Sequence, residues 1–88
     1  MATKRRRPFN PRIIESNLSE AIEQLEKLRD CAARRELEEV QLQVGLQHAY
    51  HHLNFAWNVR RVSTSEYRNL TQAQFDRWGK YPSGIENL

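Results

Sequence analysis

The chain has 88 residues, of which 39% are hydrophobic and 28% charged, with a formal net charge of +3. A chain this short holds at most one domain with a small core, and charge distributed through amphipathic segments excludes the composition of a disordered protein. The single cysteine, Cys31, excludes an internal disulfide or a cysteine-built metal cluster, and no apolar run reaches the length of a membrane span.

The basicity is local. The first twelve residues contain Lys4, Arg5, Arg6, Arg7 and Arg12 and no acid, which leaves nine basic against eleven acidic residues from Ile13 onward. No apolar segment of the signal-peptide kind follows the basic stretch, so the expected setting is the cytoplasm. Residues 1–10 carry no hydrophobic period and read as a disordered basic arm, with 11–88 as a single helical domain. Lys4, Arg5, Arg6 and Arg7 are the candidate nucleic-acid contacts, since each neutralised phosphate adds a salt-sensitive increment of affinity. A solubilising tail is the plainer reading of the same residues.

Two signals compete for the first helix start. Asn10-Pro11 suits a helix opening with proline at its first position, and Asn17 with Glu20 has the spacing of a capping box. The apolar stripe that follows is single: Ile14, Leu18, Ala21, Ile22, Leu25, Leu28 and Ala32, with Glu20, Glu23, Glu26 and Lys27 outside.

Neither glycine nor proline occurs between Arg12 and Val44, and two architectures follow. In the first, the chain turns within Asp30–Glu36 and forms an antiparallel helical hairpin, Leu18, Leu25 and Leu28 packing on the next helix. In the second, one heptad phase continues through Leu18, Leu25, Ala32, Glu39, Leu46 and Leu53, giving a long coiled-coil helix in a dimer. Arg35 and Glu39 place charge in that core and favour the hairpin.

The second helix, Leu37 to Arg61, is apolar on two faces. Leu42, Leu46, Ala49, Tyr50, Leu53, Ala56 and Trp57 form one stripe. Leu37, Val40, Val44, Phe55 and Val59 lie roughly opposite, with His48 and His51 among them. A helix of this kind needs cover on both sides. The cover is expected from the C-terminal segment, where Ser63 with Glu66 and Thr71 with Gln74 open two short helices, the first through Leu70 and the second ended by Gly79. Phe75 and Trp78 are expected over Val44, His48, His51 and Phe55. Asn54, Asn58 and Arg61 form a polar row that reads as a latch for that segment, and the last residues read as frayed.

His48 and His52 stand four residues apart on one helix face, the spacing of the first two ligands in helical metal sites. The helix itself supplies no third ligand, so half-buried or solvated histidines are the plainer reading and no cofactor is expected. No nucleophile, base and orienting group come together in the sequence, and the expectation is a protein that is not an enzyme.

At HLNFAWNVR, residues 52–60, followed by FDRW (75–78) and Tyr81-Pro82, the chain resembles a group of short bacterial proteins of unassigned function, cyanobacterial ones among them. The resemblance covers the chain from Leu46 onward. It implies a cytoplasmic bacterial protein in which His52, Asn54, Ala56, Trp57, Asn58, Arg60, Trp78 and Pro82 recur as a fold signature.

The expected protein is therefore all-α, an antiparallel helical hairpin with a third short C-terminal helical segment. Its expected role is protein–protein interaction or self-association, with Val44, His48, His51 and Phe55 as the partner-binding residues. A nucleic-acid-associated protein using the arm is one alternative. A dimeric metal protein using His48 and His52 is the other.

Overall fold

The computed structural model describes residues 7–81, and all regular structure among them is helical. α1 runs Pro11–Ala33, α2 Glu39–Asn58, α3 Thr64–Arg68 and α4 Gln72–Trp78. α1 and α2 pack against each other as a hairpin. No described helix is long and apolar enough to cross a membrane.

Of the two starts open to α1, the first is used. The side-chain oxygen of Asn10 accepts from the Ile13 N–H at 3.4 Å, with Pro11 at the first helical position. Asn17 is no cap: it lies mid-helix and 1% exposed. Residues 8–10, expected to be free of structure, are tied down instead. The Asn10 N–H donates to the Arg60 carbonyl at 2.7 Å, and its amide group donates to the Val62 carbonyl and the Thr64 hydroxyl.

The hairpin turn falls where Arg35 interrupts the heptad. Arg35 sits in the left-handed region at φ 59°. Its N–H donates to the Ala32 carbonyl and the Glu36 N–H donates to the Cys31 carbonyl. This is the paired bonding of a Schellman motif, with arginine in the place that usually goes to glycine. The local sequence gives little warning of such a turn because a non-glycine residue carries it, at a cost of about 1–2 kcal/mol. The Glu38 N–H then donates to the Gln41 side chain at 2.9 Å and α2 begins.

The contact between the helices differs from the expected one. Ala21, Leu28 and Ala49 of the expected stripes are buried at the seam, but Leu18, Leu25, Leu42, Leu46 and Leu53 stay 38–47% exposed. The buried residues are Ile13, Asn17, Ala21 and Leu28 on α1 with Gly45, Ala49, Asn54 and Phe55 on α2. Small residues let the backbones approach at the centre of this seam. A Cβ on Gly45 would stand 2.7 Å from a methyl of Leu28, so the leucine occupies the space that glycine leaves open. Because Phe55 and Val59 of the second stripe are drawn under cover, α2 is rolled toward that side. Leu18, Leu25, Leu46, Tyr50 and Leu53 are left along one edge of the hairpin.

The C-terminal segment folds back over part of the second stripe, Phe75 covering His51 and Phe55 as expected while Val44 and His48 stay exposed. Both short helices use the anticipated caps: the Ser63 hydroxyl accepts from the Glu66 N–H, and Thr71 with Gln74 forms a capping box. α3 stops at Arg68, short of Leu70. Phe75 meets His51 and Phe55 at ring-centroid distances of 4.7 and 5.4 Å, and Tyr67 meets Phe55 edge-on at 6.2 Å. The polar row does latch the segment, though at its far end: Asn54 donates to the Gly79 carbonyl at 2.8 Å. Asn58 donates to the carbonyls of Trp78 and Lys80 at 2.7 and 2.9 Å. Arg61, expected in the same row, donates instead to the Arg7 carbonyl. The cover is incomplete at its α1-turn end, where Val44 remains 58% exposed. Pro82 and the expected frayed end lie outside the described residues.

Candidate functional site

Three polar elements converge on the flank of the hairpin away from the leucine edge. α1 brings Asn17 and Glu20, α2 brings His48 and His52, and α3 brings Tyr67. Asn17 is the hub. Its amide nitrogen donates to the Ile13 carbonyl at 3.0 Å and faces the Tyr67 hydroxyl at 3.3 Å, which leaves its oxygen as the acceptor for His52 Nδ1 at 2.8 Å. With the amide oriented this way, His52 carries its proton on Nδ1 and its lone pair on Nε2.

That lone pair is aimed outward. His52 Nε2 lies 3.0 Å from His48 Nε2, the imidazole centroids 4.8 Å apart. Partial burial, foremost, holds the His52 pKa below its ordinary value. The neighbouring His48 and His51 push the same way, and Glu20 opposes them. Burial and the neighbouring histidines thus favour the neutral imidazole, the form that can act as a ligand. Glu20, reaching across from α1, places a carboxylate oxygen so that one atom from each of Glu20, His48 and His52 lies within 4.8 Å of the others.

The i,i+4 histidine pair is legible in the sequence, but Glu20 is not. It reads there as the partner of Asn17 in a capping box on an outward face. Only the hairpin register reveals it: a turn at Arg34–Arg35 sets Asn17 opposite His52 and therefore the next turn of α1 opposite His48.

The four expected partner-binding residues separate. Phe55 is 3% exposed and lies beneath Tyr67 and Phe75. His51 is half-buried between Phe55 and Phe75, and its Nε2 is buried without a hydrogen-bond partner. Val44 and His48 stay at the surface.

The extended apolar surface lies on the opposite edge. Leu46, Tyr50 and Leu53 of α2, 45–49% exposed, line one shallow groove with Leu25 of α1 and Gln47. Through Leu53 this groove meets a second, lined by Phe9, Ile14, Ala56 and Trp57.

Of the basic arm, Lys4, Arg5 and Arg6 lie outside the described residues. Arg7 forms an ion pair with Glu66, and Arg61 stacks on Phe9 with 4.4 Å between guanidinium and ring centroid. Arg60 covers the Trp57 ring at 3.8 Å and Arg77 lies 5.9 Å from that of Trp78. These arginines thus sit over separate rings. Comparison of the chain with protein-family models, with curated proteins and with solved structures yields no match.

Proposed function

We propose that this protein is a small interaction module, not an enzyme, and that it works by pairing the leucine edge of its hairpin with the same edge of a second copy. The supporting observation is the continuous apolar band of Leu18, Leu25, Leu46, Tyr50 and Leu53, each 40–49% exposed. Two helices joined by one contact leave an apolar face that a second hairpin can complete as a four-helix bundle. The exposed rim of α1 beside this band carries both signs of charge, in Glu15, Glu26 and Arg29, which suits a two-fold pairing of identical surfaces.

Covering a half-exposed leucine is worth about 1 kcal/mol. Five such side chains on each of two copies gain roughly 10 kcal/mol against an association cost of about 4 or more. The pairing is therefore weak and concentration-dependent, a property suited to reversible assembly. The bacterial, cytoplasmic setting implied by the resemblance belongs to this same proposal.

Sedimentation equilibrium across micromolar to millimolar protein tests it. The wild-type mass should rise toward twice that of the chain, and Leu46→Glu with Leu53→Glu should remain a monomer of unchanged helicity. A wild-type chain that is monomeric throughout, or a double variant that pairs equally well, would sink the proposal.

A further inference from the structure

We infer that Glu20, His48 and His52 form a binding site for one divalent transition-metal ion of the zinc class within a single chain. The site is separate from the leucine edge and does not depend on pairing there.

The first support is donor type and spacing. Two imidazole nitrogens and a carboxylate oxygen from facing helices lie within 4.8 Å of one another, and the two Nε2 atoms are 3.0 Å apart. Zinc bound tetrahedrally at about 2.0–2.1 Å from each nitrogen holds them about 3.3 Å from each other. The nitrogens thus need to separate by only a few tenths of an ångström. The carboxylate oxygen, within 4.8 Å of the nitrogens, has to close by up to about 1.5 Å to reach the same spacing, and His48 and Glu20 are exposed and free to make these adjustments.

The second support is the buried amide behind the pair. Asn17, 1% exposed, accepts from His52 Nδ1 and thereby fixes the tautomer whose Nε2 lone pair faces the site. A hydrogen-bond acceptor on the non-ligating nitrogen is the usual outer-shell arrangement of a metal-bound histidine. With the His52 proton on Nδ1, the 3.0 Å contact without metal requires His48 Nε2–H to donate to His52 Nε2. Coordination moves that proton through solvent to His48 Nδ1, so both lone pairs face the ion and no net proton is released when both rings are neutral. Three protein ligands leave a fourth position for water or for a donor from another molecule.

Titration of the full chain with Zn²⁺ by calorimetry, with Co²⁺ absorption as a second readout, tests the site. The expected result is one ion per chain, visible bands of tetrahedral Co²⁺, and a melting temperature raised by Zn²⁺. Glu20→Gln and His48→Ala should each weaken Zn²⁺ binding at least tenfold and cancel the thermal shift, while Glu26→Gln, on the outer face of α1, should bind as wild type. Both altered residues are exposed, so circular dichroism will verify that the variants fold. Absence of saturable binding at micromolar Zn²⁺, one ion per two chains, or wild-type affinity in Glu20→Gln or His48→Ala would overturn the assignment.

Discussion

Asn17→Ala is the substitution that most directly probes the polar hub. Asn17 makes two bonds to other elements, one to His52 on α2 and one to Tyr67 on α3, besides a local bond to the Ile13 carbonyl. The local bond costs nothing to lose, because that carbonyl already accepts within the helix. Each bond between elements is worth about 1 kcal/mol, and the space vacated by a fully buried side chain adds roughly another 1 kcal/mol. Alanine's better helix propensity returns about 0.5 kcal/mol. The net loss is about 2–3 kcal/mol, a large share of the stability of so small a domain. For a chain of this size it corresponds to a melting temperature lower by roughly 10–20 °C. Thermal unfolding followed by circular dichroism provides the measurement, and the loss of the protected His52 Nδ1 proton resonance provides a local one. A melting temperature within about 3 °C of wild type, with that resonance intact, would show that Asn17 does not organise this flank.

Gly79→Ala places a Cβ 2.4 Å from the His51 ring. With His51 held between two aromatic rings, the variant should lose about 1–3 kcal/mol and speed amide exchange in α4 without lowering the helicity of α1. At the hairpin turn, Arg35→Gly relieves the left-handed backbone at φ 59° and should stabilise the fold by roughly 0.5 kcal/mol after the entropy of glycine is deducted, read as a higher urea midpoint. Hydrogen bonding to Arg7, then to Ser63, holds the Glu66 carboxyl below its ordinary value of 4.5. The stability it contributes is present above that unfolded value and is lost as the pH falls through the lower folded one. In an NMR titration the Glu66 carboxyl should move back toward 4.5 in Arg7→Ala; an unchanged titration would dismiss the contact in solution.

The parts of this fold that could be read from residue order are those decided within a few positions. The caps at Asn10, Ser63 and Thr71 and the return of Phe75 to the second stripe of α2 are of this kind, since each rests on a local spacing or on an aromatic too large to leave solvated. The place of the hairpin turn was legible from Arg35 as misplaced charge in a heptad, although its left-handed backbone was not. What escaped was the roll of α2 about its axis. Large side chains dominate an apolar stripe, which points to the leucines for the seam. Ala21, Leu28 and Ala49 of those same stripes do reach the seam, joined by Gly45, which no stripe contained and whose value lies in how close two backbones can come. The same roll drew Phe55 and Val59 under cover and exposed the leucine edge on which the proposed pairing rests, while the hairpin register set Glu20 beside the histidines.

The latch on the C-terminal segment has a consequence for how that segment can change. Asn54 and Asn58 grip the carbonyl oxygens of Trp78, Gly79 and Lys80, and every amino acid carries a carbonyl oxygen. The grip therefore ignores the identity of what it holds, with Gly79 exempt because of His51. Sequence can drift at Lys80, or a different peptide can be grafted from that point, while the attachment persists. The hairpin thus behaves as a socket, with Gly79 as the one keyed position of the plug.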